Sequence, residues 1–137
     1  MPYYRLFYHM VWGTKNRGLF IQAEFENSLH NVIAAKGKKL GALIYVVGGI
    51  EDHIHLVATV PPKIALGDFI GQVKGHSSHF VNQKLAIPYH FQWQRDYGVV
   101  SFGGKQLDQV VKYVKTQRQH HADGTLIPFL ERTEPEQ

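Results

Sequence analysis

ALIYVVGGIEDHIHLVATV, residues 42–60, decides the fold. Branched and aromatic residues dominate 42–50 and 53–60, and Glu51 and Asp52 turn the chain between them. Two strands joined so tightly pair as an antiparallel hairpin. Side chains alternate along a strand, so Ile54, Leu56, Ala58 and Val60 share one face and His53 and His55 the other. The apolar face is the one that helices should cover, which leaves the histidine face as the freer one.

Upstream, Phe25, Leu29, Val32 and Ile33 fall at i, i+4, i+7 and i+8, so residues 22–36 form an amphipathic helix closed by Gly37. RLFYHMVW, residues 5–12, reads as a strand before it, and TKNRG is a basic loop between them. Downstream of Pro61 and Pro62, the residues Leu66, Phe69, Ile70, Val73, Phe80 and Val81 keep helical spacing to about Lys84, with Ser77 on the same stripe. The aromatic loop PYHFQWQRDYG leads to a short strand, residues 97–102; Gly103 and Gly104 then break the chain before a last helix over 105–121. The order β-α-β-β-α-β-α predicts an α+β chain: a ferredoxin-like split βαβ antiparallel sheet, its helices on one face, with an additional C-terminal helix.

A length of 137 residues suits one domain, placed at 1–130, with ERTEPEQ (131–137) as a disordered tail. The absence of cysteine excludes disulfides, thiolate zinc sites and cysteine nucleophiles, so any metal binds through nitrogen and oxygen. No run approaches the ~20 apolar residues of a membrane helix, and the aromatic start is no signal peptide. A cytoplasmic chain without a membrane partner is expected. The formal charge of +4, with nine histidines besides, suits nucleic acid without requiring it.

His53 and His55 are positioned to converge on one ion. Taken alone, the pair reads more simply as two half-exposed sheet histidines, and two ligands make an incomplete site. Tyr113 and Gln117, four apart, lie together on the flank of the stripe Leu107, Val110, Val111 and Val114. From the helix alone they read as an edge-of-core aromatic and a solvated amide. His120 and His121 suit a cationic helix end, and Glu51 and Asp52 read as turn residues. His76 and His79 could join the strand histidines in a zinc site, but no acidic residue accompanies them as hydrolytic zinc requires. His90, Phe91, Trp93 and Tyr97 interleave with Arg95, which suits single-strand stacking and an aromatic minicore equally.

In combination these segments resemble the single-tyrosine HUH transposases of small bacterial insertion sequences, the insertion sequence 200 type, and their repeat-associated relatives. The likeness runs in order through YHMVWGTKNR, DHIHLV, KGHSSHF, WQRDYGVVSF and YVKTQRQHH. It implies metal ligands at His53, His55 and Gln117, a nucleophile at Tyr113, Mg²⁺ or Mn²⁺ as cofactor, and single-stranded DNA with hairpins as substrate. It also implies a homodimer whose site takes its histidines from one subunit and its tyrosine helix from the same subunit or the other, with Gly103 and Gly104 as a hinge for that helix. DNA contacts are expected at Lys74, Ser77 and Ser78, and at Lys15 and Arg17, although Ser77 reads equally as a packing residue. The implied chemistry is cleavage and rejoining through a 5′-phosphotyrosine; the alternatives are a replication or transfer nickase and a non-catalytic, domesticated single-strand binder.

Overall fold

The computed structural model describes residues 2–135. Its elements run β1 (Phe7–Gly13), α1 (Ala23–Lys39), β2 (Leu43–Ile50), β3 (His53–Thr59), α2 (Leu66–Lys84), β4 (Gly98–Phe102), α3 (Leu107–Lys115) and α4 (Gln117–Asp123), with short 3₁₀ turns between some of them. The four strands form one antiparallel sheet in the order β2-β3-β1-β4, the ferredoxin-like arrangement expected from the element order. β2 and β3 form the hairpin, with Ile50 opposite His53 across the turn.

Period-two alternation divides the sheet as expected. Met10, Trp12, Ile54, Leu56 and Ala58 pack beneath Phe25, Leu29 and Ile33 of α1 and Phe69, Ile70, Val73 and Val81 of α2. Each of these large apolar side chains contributes about 1.5–3 kcal/mol by leaving water. α1 continues through Gly37 to Lys39, because Gly37 packs against Ile44 and Phe69 and a Cβ there would meet Ile44 at 2.7 Å.

The other face departs from expectation. It is covered, because Val110 and Val114 of α3, together with Leu130, need an apolar partner and find it in Val57. Gly48 makes the approach possible: a Cβ there would lie 2.6 Å from the carbonyl oxygen of Val114. His53 and His55, expected on an open surface, are consequently 1% and 0% exposed.

The expected last helix is also two. The Thr116 hydroxyl donates back to the Lys112 carbonyl at 2.9 Å, and the Thr116 backbone leaves the helical region at φ −111, ψ 31. Such back-bonding bends helices. Tyr113 therefore lies in the last turn of one helix and Gln117 begins the next. Gly103 and Gly104 lead into a 3₁₀ turn, Gly104–Gln106, ahead of α3. The chain after α4 returns through Ile127 and Leu130 to the sheet, so Glu131, assigned by its composition to a disordered tail, is packed and half-buried. Glu136 and Gln137 of that tail lie outside the described residues.

Candidate active site

β3 supplies the two imidazoles, and the gap between α3 and α4 brings Tyr113 and Gln117 over them. The His53 and His55 rings lie 4.8 Å apart, centroid to centroid, and Tyr113 meets the His55 ring edge-on at 6.1 Å. The Oε1 atom of Gln117 is 3.1 Å from Nε2 of His53. All four residues expected to carry the chemistry thus meet in one place within a single chain. Neither helix residue is peripheral: Tyr113 is 3% exposed and Gln117 2%.

Three further residues complete the cluster. Glu131 extends Oε1 to within 3.3 Å of His55 Nε2 and 3.6 Å of His53 Nε2, and its Oε2 accepts the Tyr113 hydroxyl proton. Asp52, read from sequence as a turn residue, accepts from His53 Nδ1 at 2.7 Å and lies 3.8 Å from the Arg17 guanidinium. His9 places Nε2 2.7 Å from Nδ1 of His55. No composition signal marks Glu131. His9 carried a faint one, since it shares period-two phase with Phe7 and Val11, but only the register of β1 against β3 brings it to His55.

The electrostatics follow from burial and proximity. Burial pushes the His9 pKa down to about 3, and it lowers that of His55 despite Glu131 beside it. Burial alone would raise Glu131, but His55 and the Tyr113 hydroxyl outweigh it and hold the carboxyl at about 2. Burial and the bond to Glu131 together push Tyr113 up to about 12, partly opposed by the Ile127 N–H, which donates to its oxygen at 3.1 Å. The His53 hydrogen bond keeps Asp52 below the usual carboxylate range.

The donor set fits a divalent cation. His55 Nε2 is buried and lacks a hydrogen-bond partner, since Glu131 Oε1 lies off the line a bond requires. In the neutral ring whose Nδ1 proton goes to Asp52, His53 turns a lone pair toward the amide oxygen of Gln117. Electron pairs facing one another across a dry pocket are what a cation resolves, and His53, His55 and Glu131 offer atoms all within 4.8 Å of each other.

The remaining expected residues divide. His121 is no helix-end cation: its Nε2 bonds Gln117 Oε1 at 3.1 Å, its ring lies 5.0 Å from that of His53, and burial lowers its pKa. The His120 ring lies tilted against Tyr113, 4.6 Å between centroids. His76 and His79 are exposed on α2, across the sheet from His53 and His55, so the zinc alternative does not assemble. Ser77 is buried and accepts from Trp93 Nε1 at 3.0 Å. The Lys74 ammonium donates to the carbonyls of Gln94, Arg95 and Asp96. Ser78 lines the cleft between α2 and residues 90–95, while Lys15 and Arg17 are exposed in the loop after β1. Phe91 is buried and Trp93 packs on it edge-on, so these two aromatics serve a minicore.

Comparison with known proteins gives the class of the chain: a transposase, an enzyme that transfers DNA strands. The chain belongs to the family described as "Transposase IS200 like", whose model matches residues 2–117. That span includes the four expected site residues and stops short of Glu131. The chain is 24% identical over 121 residues to the ISDra2 transposase TnpA of Deinococcus radiodurans, covering 83% of this chain and 85% of the relative. It is 27% identical over 115 residues to the transposase for insertion sequence element IS200 of Salmonella typhimurium, covering 80% and 75%. The structure of a REP-associated tyrosine transposase bound to a REP hairpin shares the fold, with a TM-score of 0.65 at 16% identity over 88% of this chain and 74% of that one. Among the described residues, no helix is long and apolar enough to cross a membrane.

Proposed function

We propose that this transposase cleaves and rejoins single-stranded DNA at hairpin-bearing ends through a 5′-phosphotyrosine, with Tyr113 as nucleophile and Mg²⁺ or Mn²⁺ as cofactor. The observation that carries the reading is the convergence of Tyr113 on His53, His55 and Gln117 in one buried site. His53, His55, Gln117 and Glu131 would hold the ion. When bound, it supplies positive charge that offsets the phosphodiester's own and favours the phenolate over the phenol. Glu131 receives the Tyr113 proton along the hydrogen bond already present. The Tyr113 oxygen bonds to phosphorus as the bond to the 3′-oxygen breaks, and that oxygen leaves as a hydroxyl after protonation from solvent. A second 3′-hydroxyl reverses the step, since the phosphotyrosine retains the energy of the diester.

Lys15, Arg17 and Ser78 are the DNA contacts of this reading that lie at the surface. Lys74 and Ser77 act behind them, fixing the loop that carries Arg95. A homodimer forms part of the same reading, and sedimentation of the free chain checks it.

Incubation with a single-stranded hairpin substrate and Mn²⁺ tests the chemistry. A covalent protein–DNA adduct that survives denaturant, disappears on chelation and is absent from Tyr113→Phe is expected. An adduct of equal yield in Tyr113→Phe would sink the proposal. The bonding of the Tyr113 hydroxyl to Glu131 and Ile127 favours one second reading, a non-catalytic single-strand binder. Hairpin binding without an adduct under either ion would establish that reading instead.

A further inference from the structure

We infer that His9 is a positioning residue for the metal site: it accepts the Nδ1 proton of His55 and thereby keeps the Nε2 lone pair of His55 aimed at the cation. The inference rests on the metal reading above and assigns a role to a residue outside that ligand set.

The imidazole of His55 has two nitrogens and, when neutral, one proton. Nδ1 faces Nε2 of His9 at 2.7 Å, in a contact with no solvent access on either side, since His9 is as buried as His55. One of the two facing nitrogens carries the proton and the other accepts it. If His9 donated, the His55 proton would move to Nε2, which is buried and has no hydrogen-bond partner. A proton there would face Glu131 Oε1 at 3.3 Å, off the line of a hydrogen bond, and would fill the space where His53 Nε2, Gln117 Oε1 and Glu131 Oε1 gather and a cation would sit. If His55 donates, the lone pair lies on Nε2 among the other donor atoms. The tautomer in which His55 donates to His9 is therefore the one competent to bind a metal.

The partner of the other ligand sharpens the point. His53 sends its Nδ1 proton to the Asp52 carboxylate at 2.7 Å, the familiar carboxylate–histidine pairing behind metal ligands. His55 lies deeper in the sheet, and its partner is an uncharged ring from the neighbouring strand. A second carboxylate there would add negative charge beneath a site that must admit a phosphodiester. A neutral acceptor fixes the ring without that repulsion. β1 holds it in place through the register that sets Val11 opposite His55 and His9 opposite Val57.

Nitrogen-15 NMR of the metal-free chain reads the tautomer directly, and calorimetric titration with Mn²⁺ alone, without DNA, reads its consequence. The His55 ring should show a protonated Nδ1 and an unprotonated Nε2. His9→Phe, which keeps a flat ring but no acceptor, should weaken Mn²⁺ binding by about 10–100-fold while its circular dichroism remains that of the parent. His9→Gln, which returns an acceptor at the same reach, should recover most of the affinity. A His55 proton on Nε2 in the unmodified chain overturns the inference, and that measurement stands even where His9→Phe fails to fold. Equal Mn²⁺ affinity in a folded His9→Phe overturns the role of His9 and leaves the metal site standing. No Mn²⁺ binding by the unmodified chain overturns the metal reading itself and this inference with it.

Discussion

Toward α1 and α2 the sheet presents Met10, Trp12, Ile54, Leu56 and Ala58, whereas toward α3, α4 and the returning chain it presents His9, His53, His55 and Val57. Both faces are dry, yet they are held by different physics. Burial of apolar surface is non-directional and tolerates neighbours of roughly the right size. Buried imidazoles, an amide, a phenol and a carboxylate must each meet a partner at a particular atom, and an unmet one is costly. The first face therefore carries stability, and the second carries chemistry.

Truncation of the first face should have the largest effect on folding and none on the site. Phe69 is fully buried between the helices and the sheet, and Phe69→Ala should cost about 3–5 kcal/mol. Urea unfolding measures it. Mn²⁺ affinity, titrated in the absence of denaturant where the variant is still folded, should match the parent. A shift in that affinity would break the separation between faces.

Glu131→Gln should instead reach the site, and its effect on stability should depend on pH. Glu131 sits at about 2 in the folded chain against about 4.5 in the unfolded one. Its contribution is fully present above pH 4.5 and is lost as pH falls toward 2, because the unfolded carboxyl takes up its proton first. The slope is at most about 1.4 kcal/mol per pH unit for one proton. His53, His55, His121 and Tyr113 are the titratable groups that face it. Stability curves of parent and Glu131→Gln should thus converge between pH 4.5 and 2. In the same variant Tyr113 should titrate below its present value of about 12, since the carboxylate that helps raise it is gone. Absorbance of phenolate, with Tyr113→Phe as the blank, reads that shift. Parallel curves and an unmoved tyrosine would mean that Glu131 is a bystander.

The same contrast explains what could be read from the sequence. Phe25, Leu29 and Ile33 announced α1, and alternation about Ile54 and Leu56 announced the sheet, because apolar periodicity is local and repeats. Spacings of two and four put His53 with His55, and Tyr113 with Gln117, on one face each, but as a site the four were legible only through the family resemblance. His9 was not, since it meets His55 through strand register, 46 residues away. Glu131 lay in a segment whose polar composition reads as unfolded, and its place depends on Ile127 and Leu130 docking against α3. Openness of the histidine face was misjudged because an appended helix has no fixed side of the sheet until its own stripe finds one. The break at Thr116 hides in a single hydroxyl.

Arg118 lies where the two faces meet, and it should show the smallest effect on stability with the clearest effect on motion. It leaves α4 to pair with Glu51 beside the β2–β3 turn and with Glu26 of α1 at 3.2 Å. Its side chain is 52% exposed, so solvent screens both pairs and Arg118→Ala should alter unfolding free energy by less than about 1 kcal/mol. The short α4 begins at a broken turn, however, and inside the site it is held through Gln117 and His121. With the outer clasp removed, amide exchange over 117–123 should quicken while exchange in α1 and β3 stays as in the parent. Unchanged exchange in α4 would mean that the buried polar contacts hold the helix by themselves, and that the site, once assembled, needs nothing from the face that folds the chain.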